Sequence, residues 1–425
     1  MRVRIQSSTI KGRLTPPSSK SMMQRALAAA MLANGDSVIH NPCKCEDADA
    51  ATDIIQRMGS VVTKKENSLE ITSKVSEAPK SIHVGESGLS LRMFSPIVAL
   101  KPEEMEITGT GSILNRPVQN IIEGLENLGI ECENPGKGFL PIRIKGGYKS
   151  NFAKIDGSLG SQFLTGLLMA LPLRKEDTTL KVSNLKSIPY INMTLDLIKH
   201  FGIEIEHENY ENFQIKGNQI YQPTEYTIEA DWSSAAPLLV AGALKGIVTL
   251  EHMNPDSYQA DKAILDALQK CGASIAWEGN NLTVEKKDLN AFDFDATHSP
   301  DLFPPLVALA AHCVGESRIT GVHRLEHKEC NRGVVLKKEF AKLGVRIRIE
   351  GDEMIIPGGD VQGGLAKSNN DHRIAMALAV TALASPSPIE IGQHECVAKS
   401  YPEFFTDLRK IGGGVAQFYF DSQFV

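Results

Sequence analysis

Cations recur in this chain beside small polar residues where apolar runs begin: Lys20, Ser21 and Arg25, then Arg92 and Arg116, Ser161 and Gln162, and His372 with Arg373. Lys328 and Arg332 in HKECNR and Lys399 in VAKSYPEFF stand at the starts of amphipathic segments. Such a set suits ligands with several phosphate or carboxylate groups, because guanidinium forks match those oxygens in pairs. Three carboxylates share these positions: Asp301 after Pro300, Glu329 beside Lys328 and Asp371 before His372. A carboxylate among cations can work as general base or acid toward a bound hydroxyl, or balance charge, and sequence alone leaves both open. Asp231, followed by Ser233 and Ser234, reads as a helix N-cap.

Other chemistries lose support. No GxxxxGK[ST] loop is present, no GxGxxG follows a strand, and no nucleophile elbow or metal-ligand helix occurs. GTGS at 109–112 is too short a glycine signal to carry meaning by itself. Cys43-Lys44-Cys45 has no second Cys/His pair nearby, so it reads as two ordinary thiols, and neither metal nor cofactor is expected. A net charge of -6 gives no global basic footprint, which argues against nucleic acid and anionic membrane as partners. The seven cysteines follow no disulfide framework and the start MRVRIQ lacks a signal-peptide core, so the cytoplasm is the expected compartment.

The elements that position these residues repeat. Six segments share a polar start running into an Ala/Leu-rich helix, beginning at Ser18, Glu86, Leu159, Asp231, Ser299 and Asn369, 68 to 73 residues apart. Each is followed by a short β-type run and a second, amphipathic helix ending at Gly59, Gly129, Gly202, Gly272, Gly344 or Gly412, where glycine supplies a left-handed cap. Alternating residues then read as strands, so the unit is strand, helix, strand, helix, strand, strand. The first helix is apolar all round and should be buried with only its N-terminus wet. Several helix N-termini converging on one place form an anion site. N-capping alone accounts for Ser and Asp there, but not for the cations. For the last 14 residues, GGGVAQFYFDSQFV, a final strand pair and an exposed tail both remain open.

At these residues the sequence resembles the enolpyruvyl transferases, and within them the 5-enolpyruvylshikimate-3-phosphate synthase family. The resemblance rests on SKSMMQRAL, GESGLSLR, NRPV, DGSLGSQF, SIPYI, SPDLFP, HKECNR, NDHRIAMA and CVAKSYPEFF, all in family order. It implies an α/β protein of two globular domains, each of three βαβαββ repeats whose buried helices point their N-termini at an interdomain cleft. Residues 18–229 would form one domain, and 1–17 plus 230–425 the other. The implied reaction moves the carboxyvinyl group of phosphoenolpyruvate to the 5-hydroxyl of shikimate 3-phosphate by addition and elimination, in aromatic amino acid biosynthesis. By resemblance, Lys20, Ser21, Arg25, Ser161, Gln162, Ser187, Asp301 and Lys328 would bind shikimate 3-phosphate. Lys20, Gly88, Arg116, Gln162, Arg332, Arg373 and Lys399 would bind phosphoenolpyruvate. Asp301 would be the base on the hydroxyl, with Glu329, Lys20 and His372 serving the proton transfers. A monomer is the family default.

Four departures stand out. Glu86-Ser87-Gly88-Leu89 replaces a common Asn-Ala/Ser-Gly-Thr, Gly160 stands where a substrate-binding Ser is frequent, Asn331 replaces an acid, and Arg324 falls at a common Asn. Glu86 and Leu89 are expected to reshape the wall beside Gly88 and so the response to glyphosate, which competes for the phosphoenolpyruvate site in this family. Two rivals are a UDP-N-acetylglucosamine enolpyruvyl transferase and a non-catalytic relative binding phosphorylated metabolites. The first typically carries a reactive Cys in the loop before Arg-Pro-Val, absent from GTGSILNRPV. The second is opposed by the retention of Lys20, Asp301, Glu329 and Lys399.

Overall fold

The computed structural model describes residues 1–73 and 78–419. Six helices lie at the six apolar runs: Lys20–Leu32, Gly88–Val98, Gln162–Ala170, Trp232–Lys245, Phe303–Ala310 and His372–Ala384. Nearly every residue of Trp232–Lys245 and His372–Ala384 is buried, as expected of sequences without a polar face. Their starts are fixed by short polar side chains. Ser19 accepts from the Met22 N–H, Ser87 from Ser90, Asp231 from Ser233 and Ser234, and Asp371 from Arg373.

The strands form six four-stranded sheets with one pattern of parallel and antiparallel pairing. In one, Ser81–His83 runs parallel to Glu104–Thr108, which pairs antiparallel with Ile142–Lys145, itself antiparallel to Glu131–Glu133. The buried helix is thus the crossover between the two parallel strands. Two repeats exchange their first strands. Ile10–Leu14, just ahead of the helix Lys20–Leu32 in sequence, pairs parallel with Gly246–Leu250, after the helix Trp232–Lys245. Glu225–Thr227, ahead of Trp232–Lys245, pairs parallel with Gly35–His40 instead. Arg2–Gln6 lies between Ile389–Gly392 and Gly414–Tyr419, antiparallel to both. The C-terminal segment therefore contributes a strand, and residues 420–425 lie outside those described.

The chain divides into two compact units, residues 18–228 and residues 1–17 with 229–425. Each has its own apolar core. Glu229 belongs with the second unit, because its carboxylate accepts hydrogen bonds from Asn254, Ser257 and Gln259. Among the described residues no helix is long and apolar enough to cross a membrane.

All six closing glycines have positive φ, between 77° and 104°. Gly272, at φ 94°, follows the helix Ile264–Cys271 and donates its N–H back into the last turn. A side chain is disfavoured in that conformation by about 1–2 kcal/mol. Gly272→Ala should therefore lower the stability of the 1–17/229–425 unit by about that amount. Urea unfolding followed by circular dichroism checks it, and an unchanged midpoint would contradict the assignment of this glycine as an obligatory cap.

Candidate functional site

In the unit 18–228, the starts of three buried helices carry the predicted residues. Lys20 is the first residue of its helix, and its Nζ bonds Asp47 Oδ2 at 2.7 Å from the neighbouring helix Glu46–Arg57. Arg25, one turn on, is 1% exposed. Its Nε donates to Thr194 Oγ1 at 2.9 Å, Nη1 to the Ser21 carbonyl at 2.8 Å and Nη2 to Thr165 Oγ1 at 3.3 Å. Burial lowers this guanidinium to about 10, with only weak opposition from Tyr190 and Tyr226. Among the described residues all its hydrogen-bond partners are neutral, so a buried positive charge stands there without a carboxylate, a costly arrangement unless an anion completes it.

Gly88 explains itself by its neighbours. A Cβ there would come within 2.5 Å of Arg116 Nη1 and 3.0 Å of Arg92 Nη1. Arg92 Nη1 donates to the Gly88 carbonyl at 3.2 Å and to Gln162 Oε1 at 3.3 Å, so Gly88, Arg92, Arg116 and Gln162 form one cluster. Ser161 precedes the helix Gln162–Ala170 without making a capping bond. Ser187, buried and left-handed at φ 58°, opens the helix that brings Tyr190 and Thr194 to Arg25. Gly160 has φ 131°, a conformation that suits glycine rather than the serine common in the family.

The pair Glu86 and Leu89 separates in the fold. Leu89 is buried in the apolar core. The Glu86 Oε2 accepts the Ser112 N–H at 2.7 Å and lies against Gly111, whose φ is 62°. The carboxylate thus latches the segment Gly111–Asn115 that leads into Arg116.

In the other unit, Asp301 is ringed by cations. Its Oδ1 lies 2.7 Å from Arg332 Nη1 and 3.2 Å from Lys328 Nζ, and its Oδ2 lies 2.9 Å from Arg373 Nη2. Burial pushes the Asp301 carboxyl up, but the charges of Arg373, Lys328 and Arg332 outweigh it and hold it well below the usual range. Arg332, 1% exposed, also bonds Asp371 Oδ2 through Nε at 2.6 Å and the Glu329 carboxylate through Nη2. Burial works against its charge, yet Asp371, Glu329 and Asp301 hold it well above the ordinary arginine value. For Lys328 burial wins and its affinity for the proton falls. Lys399 Nζ donates to the Asn370 carbonyl at 3.0 Å, and His372 is buried at the first position of its helix. Asn331 caps the helix Arg332–Ala341 through the Val334 N–H at 3.1 Å. Arg324 Nη1 donates to the Thr297 carbonyl at 2.9 Å.

The structure therefore gathers Asp301, Lys328, Glu329, Arg332 and Arg373 in one unit, and Gly88, Arg116 and Gln162 in the other, with Lys20 and Arg25 bonded within their own surroundings. Two residues not singled out from sequence also belong here: Asp47 on Lys20, and Asp261, buried beside the Asp301 array. Asp47 and Asp261 occupy second-helix starts equivalent to HKECNR, which is the signal that finds them. Among the described residues no group of three or more His, Cys, Asp or Glu is placed to hold a metal ion.

The model of the family described as EPSP synthase (3-phosphoshikimate 1-carboxyvinyltransferase) matches residues 5–408. A protein of Clostridium acetobutylicum named 3-phosphoshikimate 1-carboxyvinyltransferase is 36% identical over 420 residues, 97% of this chain and 98% of that one. One of the same name from Methanococcoides burtonii is 36% identical over 98% of this chain and 99% of its own length. The solved EPSP synthase of Acinetobacter baumannii superposes with a TM-score of 0.80 at 25% identity, covering 97% of this chain and 98% of that one. The enolpyruvyl transferase NikO of Streptomyces tendae, at 18% identity and a TM-score of 0.76 over 97% of each chain, shares the fold. With the Asp301 array and the arginine pair on Gly88 in place, this chain belongs to the EPSP synthase family.

Proposed function

We infer that this chain transfers the enolpyruvyl group of phosphoenolpyruvate to the 5-hydroxyl of shikimate 3-phosphate, releasing phosphate. The observation that carries the reading is Asp301 among Lys328, Arg332 and Arg373, a carboxylate whose counter-charges are also ligands for anions. Phosphate release from the purified protein with this pair of substrates tests it. Release with UDP-N-acetylglucosamine in place of shikimate 3-phosphate would overturn it, but the cysteine-free segment Gly109–Arg116 disfavours that substrate.

Arg25, Ser21, Ser161, Ser187, Lys328 and Asp301 hold shikimate 3-phosphate, the buried Arg25 charge being matched to its phosphate. Gly88, Arg116, Arg332, Arg373 and Lys399 hold phosphoenolpyruvate, with Lys20 and Gln162 serving both ligands. The 5-hydroxyl adds to C2 as C3 is protonated, and the tetrahedral adduct then expels phosphate. Fixed cations keep mutually repelling anions in reacting geometry, which is where orientation and electrostatics contribute most.

Beside these three cations alone Asp301 is a poor base, because they stabilise its ionised form. Bound anions draw Arg332, Arg373 and Lys328 onto their own oxygens. The affinity of Asp301 for a proton then rises, so substrate binding itself prepares the base. Glu329, Lys20 and His372 serve the proton transfers at C3 and the leaving phosphate. The protein works as a monomer in the cytoplasm, with no nucleic acid or membrane partner.

Asp301→Asn should lower kcat by about 10²–10⁴. It should leave phosphoenolpyruvate affinity unchanged or tighter, because the competing carboxylate is gone. Steady-state kinetics with a direct binding titration check the split, and parallel weakening of both would contradict the role. Glu86→Ala should release the segment 111–115 and misplace Arg116. The KM for phosphoenolpyruvate should then rise about tenfold, the scale of one charge-assisted bond, while that for shikimate 3-phosphate barely moves. The glyphosate inhibition constant, measured alongside, should rise in the same direction.

A further inference from the structure

Asp261 lies in the short turn Ala260–Ala263 ahead of the helix Ile264–Cys271, and its side chain is wholly buried. Ser233 Oγ donates to its Oδ2. Among the described residues its Oδ1 has no hydrogen-bond partner, and the side chain forms no ion pair. A buried carboxylate without a cation is among the least favourable groups in a protein interior. An amide would satisfy Ser233 at the same shape without that cost.

The groups that face it give the reason. From the helix Trp232–Lys245 come Asp231 and Ser233, from the turn Pro300–Leu302 comes Asp301, and from the helix His372–Ala384 comes Arg373. Within its own segment, Lys262 turns away to the Pro255 carbonyl, and Asp266 and Lys270 of the following helix are exposed. Asp261 in turn adds to the field that keeps Arg373 charged. Burial first, then the negative charge of Asp301, pushes its carboxyl up to about 6, against the pull of Arg373 and Ser233.

We propose that Asp261 is a positioning residue for phosphoenolpyruvate, one that sets the pull on Arg373 by gaining or losing a proton. Ionised, it draws the Arg373 guanidinium inward and repels the incoming anion. Protonated, it is neutral and leaves Arg373 to the ligand. The proton comes from solvent as the anion arrives, because the anion's negative charge raises the carboxyl's affinity for it. Binding of phosphoenolpyruvate is therefore linked to proton uptake at this residue. The proposal rests on the reaction inferred above.

The test is kcat/KM for phosphoenolpyruvate from pH 5.5 to 8.5 at saturating shikimate 3-phosphate, in wild type and Asp261→Asn. The ratio of variant to wild type cancels the ligand's own titration. It should be near one at low pH and climb severalfold through the neutral range, because the amide imitates the protonated acid. Ser233→Ala removes a bond that favours the ionised form, and should move the midpoint of the wild-type profile to higher pH. A variant-to-wild-type ratio equally depressed at every pH would show a merely structural residue and overturn the proposal. So would an unshifted midpoint in Ser233→Ala. Wild-type phosphate release decides the reaction itself, so a failure there is distinct from a failure of these ratios.

Discussion

Everything in the charged array of the unit 1–17/229–425 depends on keeping Asp301 ionised beside three cations at a partly buried place. Arg332 is the keystone, since one guanidinium serves Asp301, Asp371 and Glu329 while almost wholly buried. Removing one member of such an array leaves a buried charge unpaired, at about 3–5 kcal/mol. The array is consequently held as a unit, and only another anion can take the place of a carboxylate within it. That requirement explains why the supporting helices carry no polar face. A helix such as His372–Ala384 must be apolar all round to surround its charged first turn with a low-dielectric core.

The two units solve the placement of charge at helix starts differently. In 18–228 serines stand at the starts, Ser19, Ser87 and Ser161, and among the described residues Arg25 hydrogen-bonds only neutral groups while Lys20 pairs with Asp47. In the other unit the equivalent places hold Asp231, Asp301 and Asp371, spaced 70 residues apart. Aspartates there set negative charge at the helix ends and against Arg332 and Arg373. The same repeat thus yields one unit with serines at its helix starts and one with carboxylates.

The repeat, the buried helices and the closing glycines were legible in the sequence because each leaves a local mark: an unbroken apolar run, a short polar cap, a glycine at φ near 90°. The exchange of Ile10–Leu14 with Glu225–Thr227 was not, because both strands satisfy the same alternating pattern and nothing local names a parallel partner 187 or 236 residues away. In the site, the cations were legible from their position at helix starts. Their counter-charges were harder to see. Asp47 looks like an ordinary acid in a helix's first turn, and Asp261 like a surface residue in a polar turn, until folding brings them to Lys20 and to Arg373. Leu89 and Glu86, adjacent in the motif, part company because one side chain is apolar and the other finds a backbone donor on Ser112.

Two departures from the family pattern act on the same atom. Asn331 keeps the helix cap that an acid would also supply, but removes a negative charge next to Arg332. Arg324, held by the Thr297 carbonyl, adds a cation whose field reaches both Asp301 and Lys328. Both changes make the surroundings of Asp301 more positive, which deepens its hold on the ionised form. Anions that neutralise these cations must therefore produce a larger rise in its basicity than they would beside an acid at 331 and an amide at 324. The proton affinity of Asp301 is thus governed by how far anions neutralise the cations around it, and Asn331 and Arg324 widen that range.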